Sequence, residues 1–265
     1  MKIWAVANQK GGVGKTTSAV SLAGHLVNKG LSVLLVDMDP HGSLSVYFGC
    51  NPDEQTRSVY QLFDTVNSAN VSVDKLVTDT GIDGLHLLTA SSAMVTLDRQ
   101  LGSHSGKGLV LANALQNASL HYDYVIIDCP PLLGVLMVNA LAACERLIIP
   151  VQTEFLALKG LERIINTLMM INRSRQEELD YIIVPTFFDK RTRASLKSLQ
   201  SLKENYPNRV WEGVIPIDTQ FREASTRRLP LPLFIPKSRG SIAYEALLNH
   251  LLGIKQADDP MMVAS

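Results

Sequence analysis

Asn8-Gln9-Lys10-Gly11-Gly12-Val13-Gly14-Lys15-Thr16-Thr17 decides how this chain folds. The apolar run Ile3-Trp4-Ala5-Val6-Ala7 precedes it, and apolar residues recur at helical spacing from Ser18 to Val27. Strand, glycine loop and helix in that order are the setting of a phosphate-binding loop. Gly11, Gly12 and Gly14 let the backbone turn tightly and aim its N–H groups inward, with Val13 among them. The helix opening near Lys15 adds the positive end of its dipole, and Thr17 lies in its first turn. Lys15 can reach the β- and γ-phosphates of a nucleotide, and the Thr16 hydroxyl can ligate Mg²⁺. The usual pattern opens with a glycine four residues before Gly-Lys; here that position is Gln9, followed by Lys10. Lys10 lies too early in the loop to duplicate Lys15, which leaves it to reach outward, toward phosphates held by another subunit.

Two further segments carry carboxylates. Ser32-Val33-Leu34-Leu35-Val36 reads as a buried strand and ends in Asp37-Met38-Asp39-Pro40. Side chains repeat every two residues in a strand, so Asp37 and Asp39 point the same way. They sit at a strand's C-terminal edge, where open parallel sheets bind ligands. One can orient a Mg²⁺-bound water and the other can position the attacking water. Tyr124-Val125-Ile126-Ile127-Asp128-Cys129-Pro130-Pro131 is a second apolar strand ending in Asp, the Walker B arrangement, with Asp128 holding Mg²⁺ through water. The three segments together point to a Mg²⁺-dependent nucleotide hydrolase.

Lys-Gly-Gly-Val-Gly-Lys-Thr-Thr at 10–17, Asp-Met-Asp-Pro at 37–40 and Ile-Ile-Asp-Cys-Pro-Pro at 126–131 resemble the three motifs of the ParA/MinD family of deviant-Walker ATPases. Pro150-Val151-Gln152-Thr153-Glu154 and Val214-Ile215-Pro216 match later segments of that family, so the likeness runs through nearly the whole chain and is closer to ParA than to MinD. The resemblance implies ATP and Mg²⁺ as cofactors and an ATP-sandwich homodimer in which Lys10 of each subunit contacts the other's nucleotide. It implies that Asp39 positions the hydrolytic water, that Pro216 and Asp218 lie around the adenine, and that a partner protein stimulates slow turnover. Such proteins position or segregate cargo: plasmid or chromosome DNA, or chemotaxis receptor arrays at a cell pole.

Two residues depart from the family. His41 stands where Gln usually follows Asp-x-Asp-Pro; His41-Gly42-Ser43-Leu44 resembles the chemotaxis-associated ParC type, and His41 can equally be a turn cap. Ile217 stands where chromosome-partition members carry a DNA-binding arginine. Against that, Lys190, Arg191, Arg193, Lys197, Arg222, Arg227, Arg228, Lys237 and Arg239 make the C-terminal third basic. Such a face can track phosphate backbones without reading sequence, and Arg191, Arg193 and Arg222 are its candidate DNA contacts. Two readings stay open: a switch whose ATP-bound dimer binds nucleoid DNA, and a polar scaffold that binds proteins in its ATP state without DNA.

Composition fits a cytoplasmic enzyme. Lys and Arg number 25 and Asp and Glu 25, which removes any global pull toward nucleic acid. Cys50, Cys129 and Cys144 lack paired spacing, which argues for packing roles in a reducing compartment and against a metal or iron–sulfur site built on them. No signal peptide is evident, and no apolar run nears the roughly 20 residues of a membrane span. After Ile254 come Lys255 and then two aspartates, unlike the basic membrane helix of MinD.

Strands are expected over 3–8, 32–37, 84–89, 123–128, 146–151, 181–187 and 210–215. Helices are expected near 15–29, 91–101, 107–119, 136–143, 157–173, 193–204 and 241–252. Alternation of this kind predicts an α/β fold: one mostly parallel, doubly wound sheet flanked by helices, the P-loop NTPase fold. Residues 51–83 read as a surface insertion with short helices. The chain is expected to be one domain over 1–255 with a frayed tail at 256–265.

Overall fold

The structure is a computed structural model that describes residues 1–64, 71–97, 107–118, 121–154, 157–173, 175 and 177–254, with the side chains of 107 and 157–159 left out. The strands are β1 (Lys2–Val6), β2 (Val33–Asp37), β3 (Thr78–Ile82), β4 (Leu85–Leu88), β5 (Tyr124–Asp128), β6 (Arg146–Gln152) and β7 (Asp180–Thr186). The α-helices of the first half are α1 (Lys15–Asn28), α2 (Ser43–Tyr47), α3 (Tyr60–Phe63), α4 (Val110–Gln116) and α5 (Val135–Ala143). Those of the second half are α6 (Ala157–Asn172), α7 (Arg193–Asn205), α8 (Gln220–Thr226), α9 (Leu231–Phe234) and α10 (Arg239–Leu251).

The strands form one sheet in the order β3-β4-β2-β5-β1-β6-β7, parallel throughout except for the antiparallel β3–β4 edge. The central strands are apolar on both faces because helices cover both. In β1 and β5, Trp4, Val6, Tyr124 and Ile126 face α1 and α10, whereas Ala5, Val125 and Ile127 face α5 and α6. The expected doubly wound α/β sheet is the observed one.

Helix α1 is the spine of one layer. It is buried from Ser18 to Leu26 and meets α9 at Gly24, where an added Cβ would lie 2.5 Å from the Cβ of Pro230. The proline ring is rigid and cannot give way. Gly24→Val is therefore expected to destabilise the protein by about 2 kcal/mol or more, the scale of overpacking a close-packed core. Urea unfolding would show it as a lower midpoint at unchanged m-value.

Three expectations change. No regular strand forms over 210–215: that segment makes only isolated bridges, Ile183 with Val210 and Phe188 with Pro216. The reason is Pro185. Ile183 N–H donates to Arg209 O and Trp211 N–H donates back to Ile183 O, but Pro185 has no N–H for the next rung. Residues 212–214 bulge past it, and pairing resumes with Ile215 N–H on Pro185 O at 2.8 Å. Next, residues 51–83 do hold short helices, α3 and a 3₁₀ turn at Val73–Lys75, but they also hold β3. Thr78-Asp79-Thr80-Gly81-Ile82 lacks an apolar alternation because an edge strand there needs only backbone pairing with β4. Last, the helix expected over 91–101 is a 3₁₀ segment at Ser92–Thr96, and residues 98–101 lie outside the described residues, as does the tail 256–265. Helices α2, α8 and α9 lie outside the expected helical spans.

Candidate nucleotide-binding site

The glycine loop leaves β1 at the C-terminal edge of the sheet, between strands that both end in aspartate. Asp37 and Asp128 are register partners across β2 and β5, and Val6 pairs with Asp128 across β1 and β5. Gly12 and Gly14 have φ of 73° and 92°, the left-handed region that glycine enters without strain. Gly14 precedes α1 with no side-chain cap, so the helix presents its N–H groups to the loop. A Cβ built on Gly11 or Gly12 would meet nothing within 4 Å: the loop is an open cradle. It is braced from behind, by Thr186 donating to Val13 O at 2.9 Å and by Asn8 donating to Pro150 O at 2.8 Å.

Lys15 is buried and donates to Lys10 O at 3.3 Å. A buried ammonium held by a backbone carbonyl, with the Asp128 carboxyl near it, is poised for an anion, and the open cradle beside it fits a phosphate chain. Thr16 Oγ1 donates to Asp128 Oδ2 at 2.6 Å, while Asp128 Oδ1 is buried with no hydrogen-bond partner. Burial raises the Asp128 pKa, and the neighbouring Asp37 raises it further. Burial likewise pushes Asp37 up to about 7, against the lowering effect of its hydrogen bonds. Two carboxyls buried side by side, one with an orphaned oxygen, fit a divalent cation, whose charge would let both ionise. Thr16 and Asp128 are placed to hold it. Asp37 is more occupied than the sequence implied: Oδ2 accepts from the Ser45 N–H and hydroxyl, both at 2.7 Å, and Oδ1 from Asp39 N–H at 3.2 Å. It anchors α2 to the sheet.

Asp39 lies at the mouth of the site. Its Oδ1 accepts from His41 N–H at 3.0 Å and from His41 Nδ1 at 2.9 Å. A carboxylate only accepts, so the imidazole is in the Nδ1–H form there. His41 is therefore a turn cap placed on the carboxylate expected to handle water. Lys10 points out of its own loop and forms an ion pair with Glu154, just after β6.

Beyond Gly14 and Thr17 the loop opens into a cavity of about 370 Å³. Phe187, Ile215, Phe221 and Tyr244 supply apolar and aromatic walls, which suit a planar base. Pro216 and Asp218 line it, and the Asp218 carboxylate accepts from Gln220 N–H at 3.0 Å and Gly240 N–H at 2.9 Å, tying α8 to α10. Arg222 lines this cavity too, whereas Arg191 lines a different groove and forms a two-bond pair with Asp189, at 2.9 and 2.8 Å. Arg193 opens α7, capped by Thr192. The structure thus brings Lys15, Thr16, Asp37 and Asp128 to one edge of the sheet, while Arg222 lines the cavity and Arg191 the adjoining groove. Sequence reasoning missed Ser45, Phe187 and Glu154. Glu154 lies inside a stretch already matched to the family; Phe187, with a φ of 52°, carried no signal at all.

Fold and site define a P-loop nucleotide-binding protein. Residues 1–181 match the family described as AAA domain. The chain is 35% identical over 244 residues to the sporulation initiation inhibitor protein Soj of Bacillus subtilis, covering 92% of this chain and 95% of that protein. It is 32% identical over 252 residues to the chromosome partitioning protein ParA of Myxococcus xanthus, covering 95% and 88%. The crystal structure of a cobyrinic acid a,c-diamide synthase from Mycobacterium smegmatis, with bound ATP analog and magnesium, matches at a TM-score of 0.80 and 32% identity over 96% of this chain and 97% of that one. The chain belongs to the ParA/MinD family of P-loop ATPases.

Proposed function

We propose that this protein is an ATP-driven switch that positions or segregates intracellular cargo. It takes ATP and Mg²⁺, pairs with a second copy across the nucleotides, hydrolyses slowly, and is released when an adaptor protein stimulates turnover. Its place is the cytoplasm, at the nucleoid or at a cell pole. Among the described residues no helix is long and apolar enough to cross a membrane. The observation that carries this reading is the division of labour between two lysines: Lys15 is buried in the cradle, and Lys10 is turned outward onto Glu154. The chromosome-partitioning role of the ParA relative supports segregation as the class of task, and the ATP analog and magnesium in the matched structure support the cofactors.

In this reading the loop N–H groups and Lys15 bind the phosphates, and Thr16 and Asp128 hold Mg²⁺, which supplies charge neutralisation at the phosphates. Asp39 has Oδ1 held by His41 and uses Oδ2 to accept a hydrogen bond from the attacking water, orienting it. Asp39→Ala is therefore expected to leave ATP binding intact and to slow hydrolysis by about a hundredfold or more, the scale of a lost general base. Size-exclusion chromatography with ATP should then show a persistent dimer; an unchanged hydrolysis rate would move the role to Asp37.

The cargo-binding surface has two readings. Nucleoid DNA is supported by the basic C-terminal third. A protein scaffold without DNA is supported by Ile217, which is exposed in place of an arginine, and by Arg191, which is paired with Asp189. Salt-sensitive binding to random-sequence DNA with ATP and not with ADP selects the first. Its absence selects the second.

A further inference from the structure

A groove of about 520 Å³ lies behind the nucleotide cavity, and the two share a wall: Pro216, Ile217 and Thr219 line both. The wall is thin because two segments form it. At Phe187–Phe188, successive side chains go to opposite sides, Phe187 into the nucleotide cavity and Phe188 into the groove. The segment Ile215–Ile217 runs alongside, with Phe188 N–H on Ile215 O at 3.0 Å and Ile217 N–H on Phe188 O at 3.3 Å. The groove floor is apolar, made by Phe188, Val214, Pro216 and the 47% exposed Ile217. Its rim carries Lys190, Arg191 and Arg239, with Asp189 beside them paired to Arg191, so the lining is net positive. Arg239 is fixed over the floor by a bond to Ile217 O at 3.3 Å.

We propose that this groove binds an acidic, amphipathic segment of a partner protein: a bulky apolar side chain on the floor, flanked by carboxylates at Lys190 and Arg239. A concave apolar floor has no use in tracking a duplex backbone, whose contacts are phosphates on a polar surface. Apolar anchors within a charged rim are the pattern of peptide recognition. Because the wall is shared, a segment seated in the groove fixes Phe187 and Ile217 on the nucleotide side. Peptide and nucleotide then alter each other's affinity by the same factor, as linkage requires. This second half of the inference rests on the proposed nucleotide site; the first does not.

The test uses the full chain and a short fluorescein-labelled peptide of alternating glutamate and leucine. Anisotropy is read without nucleotide, with ADP and with a non-hydrolysable ATP analogue. Saturable binding is expected, weakened about tenfold or more in Lys190→Glu/Arg239→Glu, the loss of two charge-assisted contacts. The same peptide with lysine for glutamate should not bind. Peptide affinity should shift between the nucleotide-free and nucleotide-bound protein. A fluorescent ADP analogue reports the other site: peptide binding without nucleotide binding would sink the nucleotide assignment and leave the groove standing. No peptide binding, binding indifferent to the double variant, or displacement of the peptide by random-sequence DNA that itself binds through Lys190 and Arg239 would each overturn the groove proposal. Peptide binding unaltered by nucleotide would overturn the coupling.

Discussion

Lys15→Ala is expected to weaken nucleotide binding by about fiftyfold or more. The ammonium is buried and makes a single 3.3 Å bond to a backbone carbonyl, so it is desolvated before any ligand arrives. A phosphate chain in the cradle would pair with a cation whose desolvation cost is already met by the fold. Losing a hydrogen bond to a charged group costs about 1.5–3 kcal/mol, and tenfold in affinity corresponds to about 1.4 kcal/mol. The alanine variant also removes the positive charge that Lys15 places beside the Asp128 carboxyl, which adds repulsion against an anionic ligand. Isothermal titration with ATP and ADP in Mg²⁺ measures the effect. Thermal unfolding without nucleotide serves as the fold control. Binding at unaltered affinity would remove the phosphate-loop assignment.

Lys10→Ala is expected to abolish ATP-dependent dimerisation while leaving ADP binding by the monomer near normal. Within one chain Lys10 is engaged by Glu154, on the rim of the loop and not inside it. Its aliphatic stem packs near Gly160, where a Cβ would lie 3.3 Å from Lys10 Cβ. To act on a second subunit's phosphates the ammonium must leave Glu154, an exposed-rim partner whose attraction is weak in water. The exchange favours ATP over ADP because the added phosphate charge is the stronger competitor. A contact made in the ATP-bound pair and absent from the monomer is what shifts an association equilibrium. The double variant Lys10→Ala/Asp39→Ala should therefore stay monomeric with ATP, where Asp39→Ala alone is trapped as a dimer. Light scattering distinguishes them; equal dimerisation of the two would show that Lys10 makes no cross-subunit contact.

The nucleotide site was legible because its chemistry is local. Three glycines, Lys15 and Thr16 lie within six consecutive residues, and each aspartate ends an apolar strand, so a parallel sheet brings them to one edge whatever the rest of the chain does. Asp37 shows the limit of that reading. Its position was right, but its bonds to Ser45 and Asp39 depend on how α2 folds back, which the motif does not encode. The arginines show a further limit. Arg191, Arg193 and Arg222 share a charge and a region of sequence, yet Arg222 lines the nucleotide cavity and Arg191 is paired with Asp189. Composition counts charges; only the fold says which way they face and what neutralises them.

The sequence alone determined the parallel core and its two covered faces, and it set Lys15, Thr16, Asp37 and Asp128 on segments that meet at one edge of the sheet, because burial periodicity and contiguous motifs are short-range signals. Only the tertiary structure decided the two edges of the sheet. At one, β3 is held by backbone hydrogen bonds that no side-chain pattern announces. At the other, Pro185 breaks the ladder, and residues 215–217 form a wall between two cavities. It also decided that Lys10 meets Glu154, 144 residues away along the chain. Pairings at that separation come from packing whole layers together, and the free energy that selects them is spread over the core instead of residing in the residues that meet.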